Sequence, residues 1–318
     1  METNKHNQFL GQHITFEEAR KKVSEMNLIN SFLFDSTLEN EEDAKIVAGS
    51  ILKAILNREF KDIKVFSQKQ FNAVDTYYHS IRLDVYIAQN TADNTFNATI
   101  FNIEMEDRAA DKNSLPQRNR FYGSLHDSKL LESGTSYDKL PDFVSITISS
   151  YDPFDVGDMC YFAKTTLTSH PFIEYKDGLT HLYLYCKGRP NTEVLVSFIQ
   201  SEPHGKKLQE MLHYILTGEK PEAQNQDIND VDKVVTKVKK RGEVTTKYMR
   251  QWEREQAIAN DVRQEAALEM IRNGREDGIS DKKTHVRIKR LGLDDATIDK
   301  LFEQVNSESA FFVGSDSN

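Results

Sequence analysis

Three carboxylates stand out by type and spacing: Asp84 in "IRLDVYIA", and Glu104 and Glu106 in "NIEMED". Successive side chains of a strand point to opposite faces, so Glu104 and Glu106 share one face and Met105 takes the other. "IRLDVYIA" also alternates, with Leu83, Val85 and Ile87 on one side and Arg82, Asp84 and Tyr86 on the other. The turn chemistry of "QNTADNT" between the two segments makes a hairpin the simplest connection. On paired strands, Asp84 and Glu104 come within reach of one shared ion. Carboxylates that converge on a point repel unless a cation or proton lies between them. Mg²⁺ takes one or two carboxylates, waters and phosphate oxygens. Such an ion activates water and neutralises charge on a phosphodiester. A pair of solvated strand acids is the plainer account of the same spacing.

A helix follows in "DKNSLPQRNRFYGSLHDSKLLESG", with Ser114 as N-cap, Pro116 in the first turn and Gly134 at its close. Gln117, Arg120, Ser124 and Asp127 fall on one polar face of it. Gln117 and Arg120 lie nearest the strand end and are candidates to supply a polar or cationic group. Ser124 and Asp127 read as a solvated face, and His126 as incidental. Arg118 sits one position round. Arg82 shares the Asp84 face and either touches a phosphate or neutralises Asp84. Glu41 and Glu42 open an earlier helix, where the helix dipole explains them without function.

These residues need a scaffold. "ENEEDAKIVAGSILKAILNREF" reads as a helix, with Ile46, Val47, Ile51, Leu52 and Ile55 at helical spacing. A shorter helix spans about Glu17 to Glu25. "DFVSITISS" and "HLYLYCKG" are further strands, "MCYFAKTTL" is a weaker one, and helix returns over 193–216. Strand, turn, strand, helix, strand is an α/β core, with helices covering both faces of its sheet. Residues 1–14 and 307–318 read as disordered, 15–216 as the core domain, 217–232 as a linker and 233–306 as a charged helical region. Residues 233–250 carry seven Lys or Arg against one Glu, suited to a DNA backbone or to a solvated helix face.

The 318-residue chain has 41 basic and 50 acidic side chains and a net charge of −9. That balance excludes a broad basic coat and leaves room for a local basic groove. Two cysteines are too few for a disulfide framework. No apolar stretch predicts a signal peptide or a membrane span. Walker, G-x-G-x-x-G, C-x-x-C, H-E-x-x-H and G-x-S-x-G motifs are absent.

Taken in order, "NLINSFLFDS", "RLDVYIAQN", "FNIEMED", "LPQRNRFYGSLHDSKLLESG" and "SSYDPF" resemble the PD-(D/E)XK nuclease family of transposases, also called recombination-promoting nucleases. The resemblance runs to about residue 188 and continues weakly into the charged tail. It implies a restriction-endonuclease-like fold, a mixed sheet flanked by helices, here with a helical C-terminal region. It also implies Mg²⁺- or Mn²⁺-dependent DNA cleavage in a bacterial cytoplasm. Asp84 matches the strand aspartate and Glu104 the acid of the E-x-K motif, while Gln117, Arg118 and Arg120 fall in the matching helix.

The chain departs from that pattern at one position. Lysine is usual as the third residue and glutamine is frequent in this family; here it is Glu106. A lysine would stabilise charge developing on phosphate, whereas a glutamate adds negative charge facing an anion. Three accounts stay open: Glu106 helps hold a second metal, a cation from the next helix replaces the lysine, or the site is impaired. The expected function is a metal-dependent DNA endonuclease linked to recombination or mobile elements. The metal ligands would be Asp84, Glu104 and Glu106, and the phosphate contacts Arg82, Arg118 and Arg120. The alternative is a nuclease-derived protein that binds without cutting. Any homo-oligomer would form through the C-terminal helices.

Overall fold

A computed structural model describes residues 13–60, 63–71, 81–89, 99–130, 134, 136–195 and 205–315; the side chains at 66–71, 81–89, 111, 129–130, 192, 195 and 309–315 lie outside that description. The expected N-terminal disorder over 1–12 and most of the "QNTADNT" turn fall outside the described residues.

Helices α1 (Phe16–Glu25), α2 (Ser31–Thr37) and α3 (Glu41–Leu56) come first. Strands β1 (Ile63–Phe71), β2 (Ile81–Gln89) and β3 (Thr99–Glu106) follow, then helix α4 (Leu115–Leu130). Strands β4 (Phe143–Ser149), β5 (Cys160–Lys164) and β6 (Leu179–Tyr185) complete one six-stranded mixed sheet of order β1-β2-β3-β4-β6-β5. The chain ends in α5 (Gly205–Thr217), α6 (Gln226–Lys239), α7 (Gly242–Glu276), α8 (Asp281–Lys289) and α9 (Asp295–Ser315). It divides into two compact units: Arg20–Thr245, and Thr246–Asn318 together with the chain up to Ala19.

The expected hairpin is present, with β2 antiparallel to β3. The connection through α4 then brings β4 parallel to β3, and β6 lies parallel to β4. The first strand, β1, was not foreseen. Its "IKVFSQKQF" mixes apolar and polar residues on both alternating faces and so gives a weak period-2 signal.

The two sheet faces differ in chemistry. One carries Phe101, Ile103, Met105, Ile146, Ile148, Leu182 and Leu184, all buried. Phe60, just after α3, meets Phe101 edge-on at 5.8 Å on this side. The other face carries Asn102, Glu104 and Glu106 from β3, and Ser145, Thr147 and Ser149 from β4, again all buried. Helix α4 covers it: Asn119 Nδ2 donates to Thr147 Oγ1 at 3.1 Å, and the His126 ring lies 4.5 Å from that of Phe143.

The linker expected over 217–232 is only partly one, because α6 begins at Gln226. Asn225 caps it, and Ile228, Val231, Val234, Val235 and Val238 are buried at helical spacing. The polar average of "GEKPEAQNQDINDVD" hides the first turns of this stripe. Helix α6 packs on α3 within the sheet unit. There Asp43, 5% exposed, accepts from Lys237 Nζ at 2.9 Å and from Arg241 Nη2 at 3.0 Å.

In the second unit, Ala267, Ile271, Ile288, Leu293, Ile298, Leu301 and Val305 form a separate apolar core. Gly274 allows α7 and α8 to approach closely there, since a Cβ at that position would lie 2.7 Å from Thr284 Oγ1. Helix α9 continues to Ser315, beyond residue 306 where the sequence reading ended the ordered region. No proline interrupts this stretch, so nothing in it forces the helix to stop.

Candidate functional site

The C-terminal end of β3 positions the acids. The β2–β3 register runs from Gln89↔Thr99 to Val85↔Ile103. The pairing ends there, and Asp84 and Glu104 are the next residue of each strand. The backbones of Arg82 and Asp84 are described on β2, while their side chains lie outside the described residues. On the other side, Glu104 pairs with Thr147 and Glu106 with Ser149 of β4.

Glu104 and Glu106 are each 8% exposed, so they are buried acids rather than solvated ones. A buried carboxylate needs hydrogen bonds or a counter-charge. Glu104 Oε1 accepts from Asn102 Nδ2 at 3.0 Å. Glu106 Oε2 accepts from Arg118 Nη2 in an ion pair that joins β3 to α4. Burial opposes the charge on Arg118; the Glu106 hydrogen bond and the charges of Glu106, Tyr122 and Glu104 outweigh it and hold the guanidinium proton more firmly than usual. No described group bonds Arg118 Nε, which is itself buried.

The helix register explains which cation arrives. Leu115, Asn119, Gly123 and His126 are buried, Arg118 and Tyr122 are half-buried, and all lie on the stripe of α4 that faces the sheet. Gln117, Arg120 and Ser124 are exposed on the opposite stripe, with Asp127 at its edge. The polar stripe read from sequence is therefore the solvent side, and Arg118 is the residue that α4 brings to Glu106. His126 is fully buried, with Nδ1 3.1 Å from Asp127 Oδ1.

The sequence reading passed over the rest of this polar layer. In register across three parallel strands lie Asn102, Ser145 and His181, then Glu104, Thr147 and Tyr183. Burial pushes the Tyr183 phenol up, with Asn119 and Arg118 pulling it down. The signal was present: "FNIEME", "FVSITIS" and "LTHLYLY" each alternate polar with apolar. Only the covering helix shows that the polar side is buried too.

The other candidates sit elsewhere. Glu41 and Glu42 are exposed and both pair with Lys45, at 2.9 and 3.4 Å. Several cations of the basic stretch bond internally: Lys233 to Asp230, Lys237 and Arg241 to Asp43, and Lys239 to the Ser24 carbonyl. Among the described residues, no three His, Cys, Asp or Glu side chains gather as a metal cluster. Nor is any helix among them long and apolar enough to cross a membrane.

Comparison of the chain with protein-family models, with curated proteins and with solved structures finds no match.

Proposed function

We propose that this protein is a metal-dependent DNA endonuclease with a restriction-endonuclease-like core, of the PD-(D/E)XK kind, serving recombination or mobile elements in a bacterial cytoplasm. The observation that carries this reading is the buried Glu104–Glu106 pair on the polar sheet face, just past the end of the β2–β3 pairing, where Asp84 is the next residue of β2.

The donor set suits a hard divalent cation. Glu104 and Asp84 would hold Mg²⁺ or Mn²⁺, and two carboxylates are the usual protein share of a Mg²⁺ site. When bound, the ion supplies an activated water and neutralises charge on the phosphate. Arg118, from the next helix, would take the part of the lysine that the family pattern has on the strand. Its guanidinium, partly exposed, would donate to a phosphodiester oxygen as negative charge develops. Glu106 fixes the guanidinium by accepting from Nη2. Arg120, exposed on α4, and Arg82, beside Asp84, would contact flanking backbone phosphates.

A second reading draws on the same ion pair. Glu106 is neutralised by Arg118 within the chain, which suits a nuclease-derived protein that binds DNA without cutting it.

Plasmid nicking with Mg²⁺ or Mn²⁺ separates the two, using wild type, Asp84→Ala, Glu104→Ala and Arg118→Ala. The endonuclease reading expects wild type to cut and each variant to lose about a hundredfold or more in rate. An inert wild type that shifts DNA in a gel would establish the binding reading. Cutting that survives both acid substitutions would sink the site assignment.

A further inference from the structure

Resting on that reading, we infer that Asn102 is a positioning residue that holds the Glu104 carboxylate in the orientation a divalent cation requires. Asn102 precedes Glu104 by two residues on β3 and so shares its face. Its Nδ2 donates to Glu104 Oε1 at 3.0 Å. Both residues lie in the layer beneath α4, Asn102 fully buried and Glu104 retaining a little exposure.

Asn102 serves Glu104 while its own amide is left only half satisfied. Asn102 is fully buried, and among the described residues nothing bonds its Oδ1. Its β4 neighbour in register, Ser145, is equally buried, and its Oγ has no partner among the described residues either. A buried amide with an unsatisfied carbonyl costs stability, so what the asparagine supplies here is its bond to Glu104. The described bond that Asn102 makes is directed at the proposed ligand. Partners that orient a ligand carboxylate govern metal affinity without touching the metal.

The test uses the full chain with Asn102→Leu, close in volume and unable to donate. Mn²⁺ binding is measured by calorimetry, alongside thermal melting and plasmid nicking. The expected result is Mn²⁺ affinity weakened about 10- to 100-fold and nicking reduced, with Tm lowered by the loss of one donor to the buried Glu104. Asn102→Ala gives the same affinity reading should leucine prove too large to fold. Variants that bind Mn²⁺ as wild type does, whatever their Tm, would overturn the assignment while leaving the endonuclease reading intact. A wild type that binds no Mn²⁺ removes the metal site itself, and Asn102's role with it.

Discussion

Arg118 and Glu106 form an ion pair between α4 and the end of β3, twelve positions apart in sequence. The cation that neutralises Glu106 therefore comes from the next helix. Glu106 in turn ties the Arg118 guanidinium to the strand. That resolves the local charge conflict that "NIEMED" poses in sequence, where two acids face the same way with no adjacent base.

The pair should be energetically coupled. Arg118→Met leaves Glu106 buried without its cation and should cost about 3 kcal/mol, the low end for a broken buried pair because the guanidinium is partly exposed. Glu106→Gln should cost less, since Arg118 can reach solvent. The double variant should be more stable than the sum of the singles by about 1 to 3 kcal/mol. Urea unfolding of the four proteins at pH 7 measures this, and simple additivity would show that the pair contributes nothing.

A second clamp should respond asymmetrically. Asp43 is almost fully buried between Lys237, which is mostly exposed, and Arg241, which is partly so. Removing both cations strands a buried carboxylate and should cost about 3 to 5 kcal/mol. Asp43→Ala frees two cations that can turn to water and should cost about 1 to 2 kcal/mol. Chemical denaturation gives both values. Equal losses would mean that Asp43 is solvated in the folded protein.

The sheet and its acids were legible because period-2 alternation is a strong local signal in "IRLDVYIA", "FNIEME" and "FVSITIS". The face of α4 was not. Gln117, Arg120, Ser124 and Asp127 and the stripe of Leu115, Arg118, Asn119 and Tyr122 are both plausible one-sided patterns on the same helix. Polar residues line the sheet-facing side because the sheet beneath is itself polar, so hydrophobicity could not choose between them. The same limit hid Asn102. Its burial and its bond to Glu104 are not carried by residue type. The start of α6 was missed for a different reason: its valine stripe begins inside a segment whose average composition is polar.

Cys160 should be chemically quiet. Burial pushes its thiol up to about 12, with Glu193 and Asp158 adding to the shift. Burial likewise holds Cys186 at about 12. Since the thiolate is the reactive form, native protein at pH 7.5 should react with a disulfide reagent about a thousandfold more slowly than unfolded chain. Reaction of either thiol within seconds would show that the surrounding packing opens readily.

Asp152 should give the fold a defined dependence on pH. It holds the loop after β4, accepting from the backbone N–H of Phe154 at 3.0 Å, from that of Gly157 at 2.6 Å and from the Tyr161 hydroxyl at 2.7 Å. Burial raises its pKa, but these bonds outweigh it and hold the carboxyl below its ordinary value. A folded-state pKa below the unfolded one adds stability that is fully present above the unfolded value, near 4. That stability is lost as pH falls through the folded value. Asp152→Asn removes the charge that those donors favour. The gap in unfolding free energy between wild type and Asp152→Asn should therefore be constant from pH 7 to about 5 and narrow below about 4. Urea titrations at pH 7, 5 and 3.5 measure the gap directly. A gap that widens toward low pH would mean that Asp152 carries a proton in the folded loop and that the bonds around it favour the neutral acid.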